Sequence, residues 1–118
     1  MTGREHELCE VRVEVGFDAR HRRAVDGTAA PAHSHRWTAS VHARSRELES
    51  IAIVVDFRRL RDDLEELLSG LSGGDLDDHP ELGADATPLA LARWVLGRMQ
   101  AGAEGESWEV HVVEVEAD

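Results

Sequence analysis

Residues 30–44 read APAHSHRWTASVHAR, and the parity of this stretch decides how the chain folds. From Trp37 the residues alternate: Trp37, Ala39, Val41 and Ala43 are apolar or small, while Thr38, Ser40, His42 and Arg44 are polar. That period of two predicts a half-buried strand. Successive side chains of a strand point to opposite faces, so residues of equal parity share a face. If the strand begins before Trp37, His33 and His35 join the apolar face. The two histidines then read either as metal ligands at the mouth of a strand or as ordinary polar residues in a loop.

The preceding segment carries a matching pattern. In CEVRVEVGF, residues 9–17, Cys9, Val11, Val13, Val15 and Phe17 oppose Glu10, Arg12 and Glu14. If this first strand runs past Phe17, Ala19 and His21 lie on its apolar face. The run HRRAVDGTAAPA, residues 21–32, has no period and contains Gly and Pro, so it reads as a loop. Three imidazoles meeting at one point make a good Zn²⁺ site with an open fourth position. Arg20, Arg22, Arg23 and Arg36 act against it, since nearby cations repel a dication.

Downstream, SIAIVVDF at 50–57 is rich in β-formers and predicts a third strand. At Asp56, a suitable N-cap, the period changes to helical: Phe57, Leu60, Leu64, Leu67 and Leu68 form one stripe, with Gly70 as the stop. Arg58–Asp62, Arg59–Asp63 and Arg61–Glu65 are spaced as i,i+4 pairs on its polar side. An acidic, Gly-rich connection covers 72–86. Thr87-Pro88 then reads as N-cap and first residue of a second helix carrying Leu91, Trp94, Val95 and Met99. A last strand follows in WEVHVVEVE, where unbroken alternation puts Glu114 on the face of Trp108, Val110 and Val112. The order β-β-β-α-α-β predicts a single α+β domain over 1–118: a four-stranded antiparallel sheet with two helices on one face.

Glu114 has two readings. It is either a strand-end carboxylate facing solvent or an anchor for the edge of a planar, guanidine-like heterocycle, which a carboxylate recognises through two parallel hydrogen bonds.

Composition narrows the partners. The 118 residues include 24 acidic and 13 basic side chains, for a net charge of −11. A chain this acidic is repelled by phosphate backbones and anionic lipid, so neither nucleic acid nor a membrane is an expected partner. No run approaches the ~18 apolar residues of a membrane span, and MTGREHELCE lacks the apolar stretch of a secretory signal. A lone cysteine, Cys9, fits a reducing compartment, and the expected location is the cytoplasm.

Together these residues resemble the family of 6-pyruvoyl tetrahydropterin synthase and its bacterial relative 6-carboxytetrahydropterin synthase. FDARH (17–21) matches the family's F-x-A-x-H, and HSH (33–35) its H-G-H. VVDFRRL (54–60) matches V-x-D-F-x-x-L, ATPLALARW (86–94) resembles P-T-x-E-x-L-A-x-W, and VHVVEV (110–115) resembles V-x-V-x-E-T. The resemblance spans residues 9–116 with the motifs in order. It implies a tunnelling fold (T-fold) in which trimers close a barrel and pairs of trimers make a homohexamer, with the active site at a subunit interface. It casts His21, His33 and His35 as zinc ligands, Glu114 as the pterin anchor and Thr87 as a residue near the pocket.

The family's catalytic groups do not carry over in the same way. Its cysteine, four residues before the first histidine of H-G-H, falls on Ala29. Cys9 lies twelve residues before His21, ~40 Å of extended chain at ~3.3 Å per residue. The family's Asp-His pair in L-D-H-x-x-L-N-D has two registers here. Matching DDH places it at Asp78-His79; matching LSGGDLDDHPEL without gaps leaves Ser72 and Gly73 there, and keeps the spacing to Thr87. Leu89 replaces the family's glutamate and Val115 its threonine. Catalytic residues are therefore left unassigned, since alanine, serine and glycine cannot move the protons that the family's reaction requires. The expected function is binding of a pterin or purine-like ligand without the family reaction. The alternative is a metal-dependent enzyme acting on a pterin-related substrate through Asp77, Asp78 or His79.

Overall fold

In a computed structural model of the chain, residues 10–23, 29–45, 57–82, 86–106 and 108–118 are described. Strand β1 spans Glu10–Arg23, β2 Ala29–Ser45 and β3 Trp108–Ala117; helix α1 spans Phe57–Ser69 and α2 Pro88–Gly102. A 3₁₀ turn at Leu76–Asp78 lies in the connection between the helices. The strands are antiparallel in the order β1-β2-β3, so β2 is central. The α+β class, the antiparallel sheet and the two helices agree with the sequence. The described sheet has three strands rather than four. The further strand read from 50–57 lies outside the described residues, apart from Phe57, which opens α1.

The apolar parity of β1 and β2 forms the floor of the core. Val13 pairs with Val41, Val15 with Ala39 and Phe17 with Trp37. Ala39 and Ala43 are fully buried, and such small side chains leave room for the helices above them. Leu60, Leu64 and Leu68 bury the stripe of α1, and Leu91, Val95 and Met99 that of α2. Each fully buried leucine contributes about 1.5–3 kcal/mol relative to an exposed one. Thr87 caps α2 as expected, its hydroxyl accepting from the Ala90 N–H at 3.2 Å. On the solvent side Arg59–Asp63 and Arg61–Glu65 are paired at 3.8 and 3.0 Å.

Residues 21–32 differ from the expected loop. β1 continues to Arg23 and β2 already begins at Ala29. Cross-strand hydrogen bonding holds this part extended without an apolar period. His21 faces His33 in register, but Arg23 faces Ala29, so residues 30–32 oppose Arg22 alone. Pro31, which cannot donate to a ladder, falls inside this bulge. The bulge lies beyond the His21–His33 pair, so all three histidines stay in phase with Trp37.

A second bulge overturns the parity expected for Glu114. His42 pairs with Val112 but Ala43 pairs with Val110, leaving His111 as an extra residue of β3. Trp108 and Val110 are buried against the helices, whereas beyond the bulge the phase reverses. Val113, Val115 and Ala117 pack toward the core, and Val112, Glu114 and Glu116 are exposed. Glu114 therefore sits opposite Ser40 on the polar face, not with Trp108 and Val110.

The outer edge of β1 is covered by the connection after α1. The Gly73 N–H donates to the Asp18 carbonyl at 2.7 Å, and the Arg20 N–H to Gly74 at 3.0 Å. Covering an edge strand removes a template for unwanted pairing. Gly73 has φ of +75°, a conformation that other residues adopt at a cost. Leu71, Leu76 and Leu82 anchor the segment in the core.

Candidate metal centre

His21 from β1 and His33 and His35 from β2 converge where the apolar face emerges from beneath the helices. One ring nitrogen from each lies within 4.8 Å of the others. Ring centroids are 4.6 Å apart for His21–His33, 5.0 Å for His21–His35 and 4.7 Å for His33–His35. Trp37 meets His21 edge-on at 5.1 Å and forms the wall between the cluster and the core. Its own indole N–H is satisfied by the Ala19 carbonyl at 3.1 Å.

Hydrogen bonds select the tautomers. His21 Nδ1 lies 2.9 Å from the Ala86 carbonyl, and His33 Nδ1 2.9 Å from the Pro31 carbonyl. His35 Nδ1 is 3.0 Å from the Asp118 carbonyl and 3.1 Å from its Oδ1. An oxygen acceptor requires N–H at Nδ1, which leaves each Nε2 with a lone pair. His21 Nε2 is buried and has no hydrogen-bond partner. An orphaned buried acceptor is costly, and coordination of a cation removes the cost. Three borderline nitrogen donors with their outer nitrogens anchored suit Zn²⁺ and leave a coordination position open.

The other residues named from the sequence occupy different places. Thr87 directly follows Ala86, whose carbonyl holds His21, so the start of α2 abuts the cluster. Glu114 is on the opposite face of the sheet, and its pairing partner Ser40 is five residues from His35 along β2. One chain does not bring Glu114 and the triad together. Asp78 is exposed and lies 3.9 Å from Arg22, while His79 contacts Trp94 in the groove between α1 and α2. Neither joins the triad. The Asp77 carboxylate is buried, accepts no hydrogen bond and has Arg22 Nε 4.0 Å away, while the Asp77 N–H donates to Asp75 Oδ1. Ala29, where the family resemblance expects cysteine, is the first residue of β2 and pairs with Arg23.

A second imidazole cluster occupies the polar face. His42 lies between two carboxylates, Nδ1 3.1 Å from Glu10 Oε1 and Nε2 2.8 Å from Glu114 Oε1. His111, the bulged residue, reaches the other oxygen of Glu10 at 3.0 Å. The hydrogen bond to Glu10 is the main cause of a raised His42 pKa; partial burial opposes it and Glu114 adds to it. The same hydrogen bond holds Glu10 below the usual carboxylate value, with His111 assisting. The alternation of β2 put His42 on the polar face, but only the strand pairing reveals the cluster. Nothing in the sequence pointed to Ala86, Pro31 or Asp118 as supports of the triad.

A family model described as 6-pyruvoyl tetrahydropterin synthase matches residues 10–118. Among solved structures, that of Caenorhabditis elegans 6-pyruvoyl tetrahydropterin synthase is similar, with a TM-score of 0.67 and 13% sequence identity. The match covers 95% of this chain and 96% of that one, and at this identity it speaks for the fold. Curated proteins include no match to the sequence. Among the described residues, no helix is long and apolar enough to cross a membrane.

Proposed function

Because this chain belongs to the 6-pyruvoyl tetrahydropterin synthase family, we propose that it holds zinc and binds a pterin or purine-like ring without carrying out the family's reaction. The carrying observation is a contrast within one hairpin. His21, His33 and His35 retain three anchored imidazoles with Nε2 lone pairs, while the position of the family's cysteine is Ala29. Zinc, when bound, supplies a Lewis acid that polarises a ligand oxygen or lowers the pKa of a bound water. The chain's own part is to bind and orient. Glu114 accepts two N–H groups from the ring edge, and the start of α2 at Thr87 borders the pocket.

Glu114 and the triad lie on opposite faces of one chain's sheet, so a ligand touching both draws Glu114 from a neighbouring subunit. That supports the T-fold homohexamer, with its sites between subunits. The ungapped register of 71–82 is supported by burial of Leu71, Leu76 and Leu82. In that register Ser72 and Gly73 occupy the Asp-His positions, where Gly73 lies against Asp18 of β1. A cytoplasmic location fits the same reading.

A second reading is favoured by Asp77, whose buried carboxylate lacks any hydrogen bond. That unpartnered carboxylate makes a metal-dependent enzyme with new acid/base residues the rival. The deciding experiment uses protein purified without chelators or metal-affinity tags. About one zinc per chain, measurable pterin affinity and no turnover of dihydroneopterin-type substrates are expected. Turnover by the family reaction would overturn the reading. A different turnover, lost on chelation and on Asp77→Asn, would establish the rival.

A further inference from the structure

We infer that Asp118 is the positioning residue that aims His35 at the metal and thereby sets the affinity of the triad. This rests on the metal-holding reading above. His21 and His33 are backed only by neutral carbonyls, those of Ala86 and Pro31. His35 alone is backed by a carboxylate: Asp118 offers its Oδ1 at 3.1 Å beside its backbone oxygen at 3.0 Å.

Asp118 is itself fixed. Its Oδ1 accepts the Arg36 N–H at 3.0 Å, and its own N–H donates to the Arg36 carbonyl at 3.1 Å. The last ladder pair of β3, Trp37–Ala117, delivers it to this place. The Arg36 guanidinium, 3.4 Å from Asp18, is paired elsewhere. A carboxylate on the outer N–H of a ligating imidazole fixes the ring's rotation and raises the basicity of the inner nitrogen. His35 needs this more than His21 does. His21 is wedged against Trp37 and buried, whereas the His35 side chain retains 26% exposure and relies on hydrogen bonding for its orientation.

The test compares Zn²⁺ affinity and the visible spectrum of the Co²⁺-substituted full chain for the parent, Asp118→Ala and Asp118→Asn. Loss of the side-chain acceptor in Asp118→Ala is expected to weaken Zn²⁺ binding roughly 10-fold, at the low end of outer-sphere effects because Asp118 is exposed. The Co²⁺ bands should shift, and the melting temperature of the metal-free protein should not change. Asparagine keeps an oxygen for both N–H groups and should recover most of the affinity and the parent spectrum. Equal affinity and an unchanged spectrum in the alanine variant would overturn the inference while leaving the metal reading intact. A lowered metal-free melting temperature without rescue by asparagine would overturn it as well, by showing a merely structural role. A parent chain that binds neither metal would overturn both.

Discussion

The two faces of the sheet each carry an imidazole cluster, and they differ in what is done with the second nitrogen. On the helix-facing side, His21, His33 and His35 spend Nδ1 on fixed oxygens and keep Nε2 available. On the polar side, His42 gives both nitrogens to carboxylates, Glu10 and Glu114. The first arrangement leaves one nitrogen of each ring turned toward the others; the second favours an imidazolium at His42. Residue type is thus a poor guide to chemistry, and the acceptor facing each nitrogen is a better one.

Breaking the first cluster should give the largest effect. His21→Ala is expected to remove zinc altogether, from about one per chain to none by elemental analysis, because two remaining imidazoles leave too few ligands. Retention of a full equivalent would place the metal elsewhere. Glu114→Gln should leave zinc content unchanged while weakening pterin binding about 10- to 100-fold, the range for loss of a charged hydrogen-bond acceptor. Calorimetry with a reduced pterin would show it, and unchanged affinity would remove Glu114 from the pocket.

The second cluster predicts a smaller, pH-dependent effect. The folded pKa of His42 is raised, so its contribution to stability is full below its unfolded value, ~6.5, and is lost as pH rises through the folded pKa. The folded pKa of Glu10 is lowered, so its contribution is full above ~4.3 and is lost as pH falls through the folded pKa. The pair therefore stabilises most between these unfolded values. Denaturation of His42→Ala across pH 4–8, compared with the parent, should show a loss concentrated in that window. A uniform loss would mean that packing, not charge, holds His42. The smallest effect is expected far from both clusters: Arg61→Ala breaks an exposed i,i+4 pair and should change stability by about 0.5 kcal/mol or less in urea titration.

The histidine triad was legible in the sequence because the ladder from Val13–Val41 to His21–His33 is unbroken, so counting by twos gives the correct face. The same counting failed in β3. The bulge at His111 involves no glycine or proline, and only the pairing with β2 reveals that Glu114 has changed sides. Capping of α2 and the leucine stripe of α1 were readable because they depend on local spacing. The supports of the triad were not, since Ala86 and Asp118 are distant in sequence and two of the acceptors are peptide carbonyls, which every residue carries.

The bulge at Pro31 has a consequence for how the hairpin accommodates changes in length. It lies outboard of the His21–His33 pair, so one ladder ends at that pair and a differently phased one begins beyond it. Residues added between Arg23 and Ala29 should lengthen only the outer part and leave all three histidines facing as before. One residue added between His35 and Trp37 would rotate both β2 histidines to the other face. Tolerance to insertion should therefore change sharply within a few positions of one strand, so the pattern of lengths permitted in the hairpin traces the boundary of the histidine cluster.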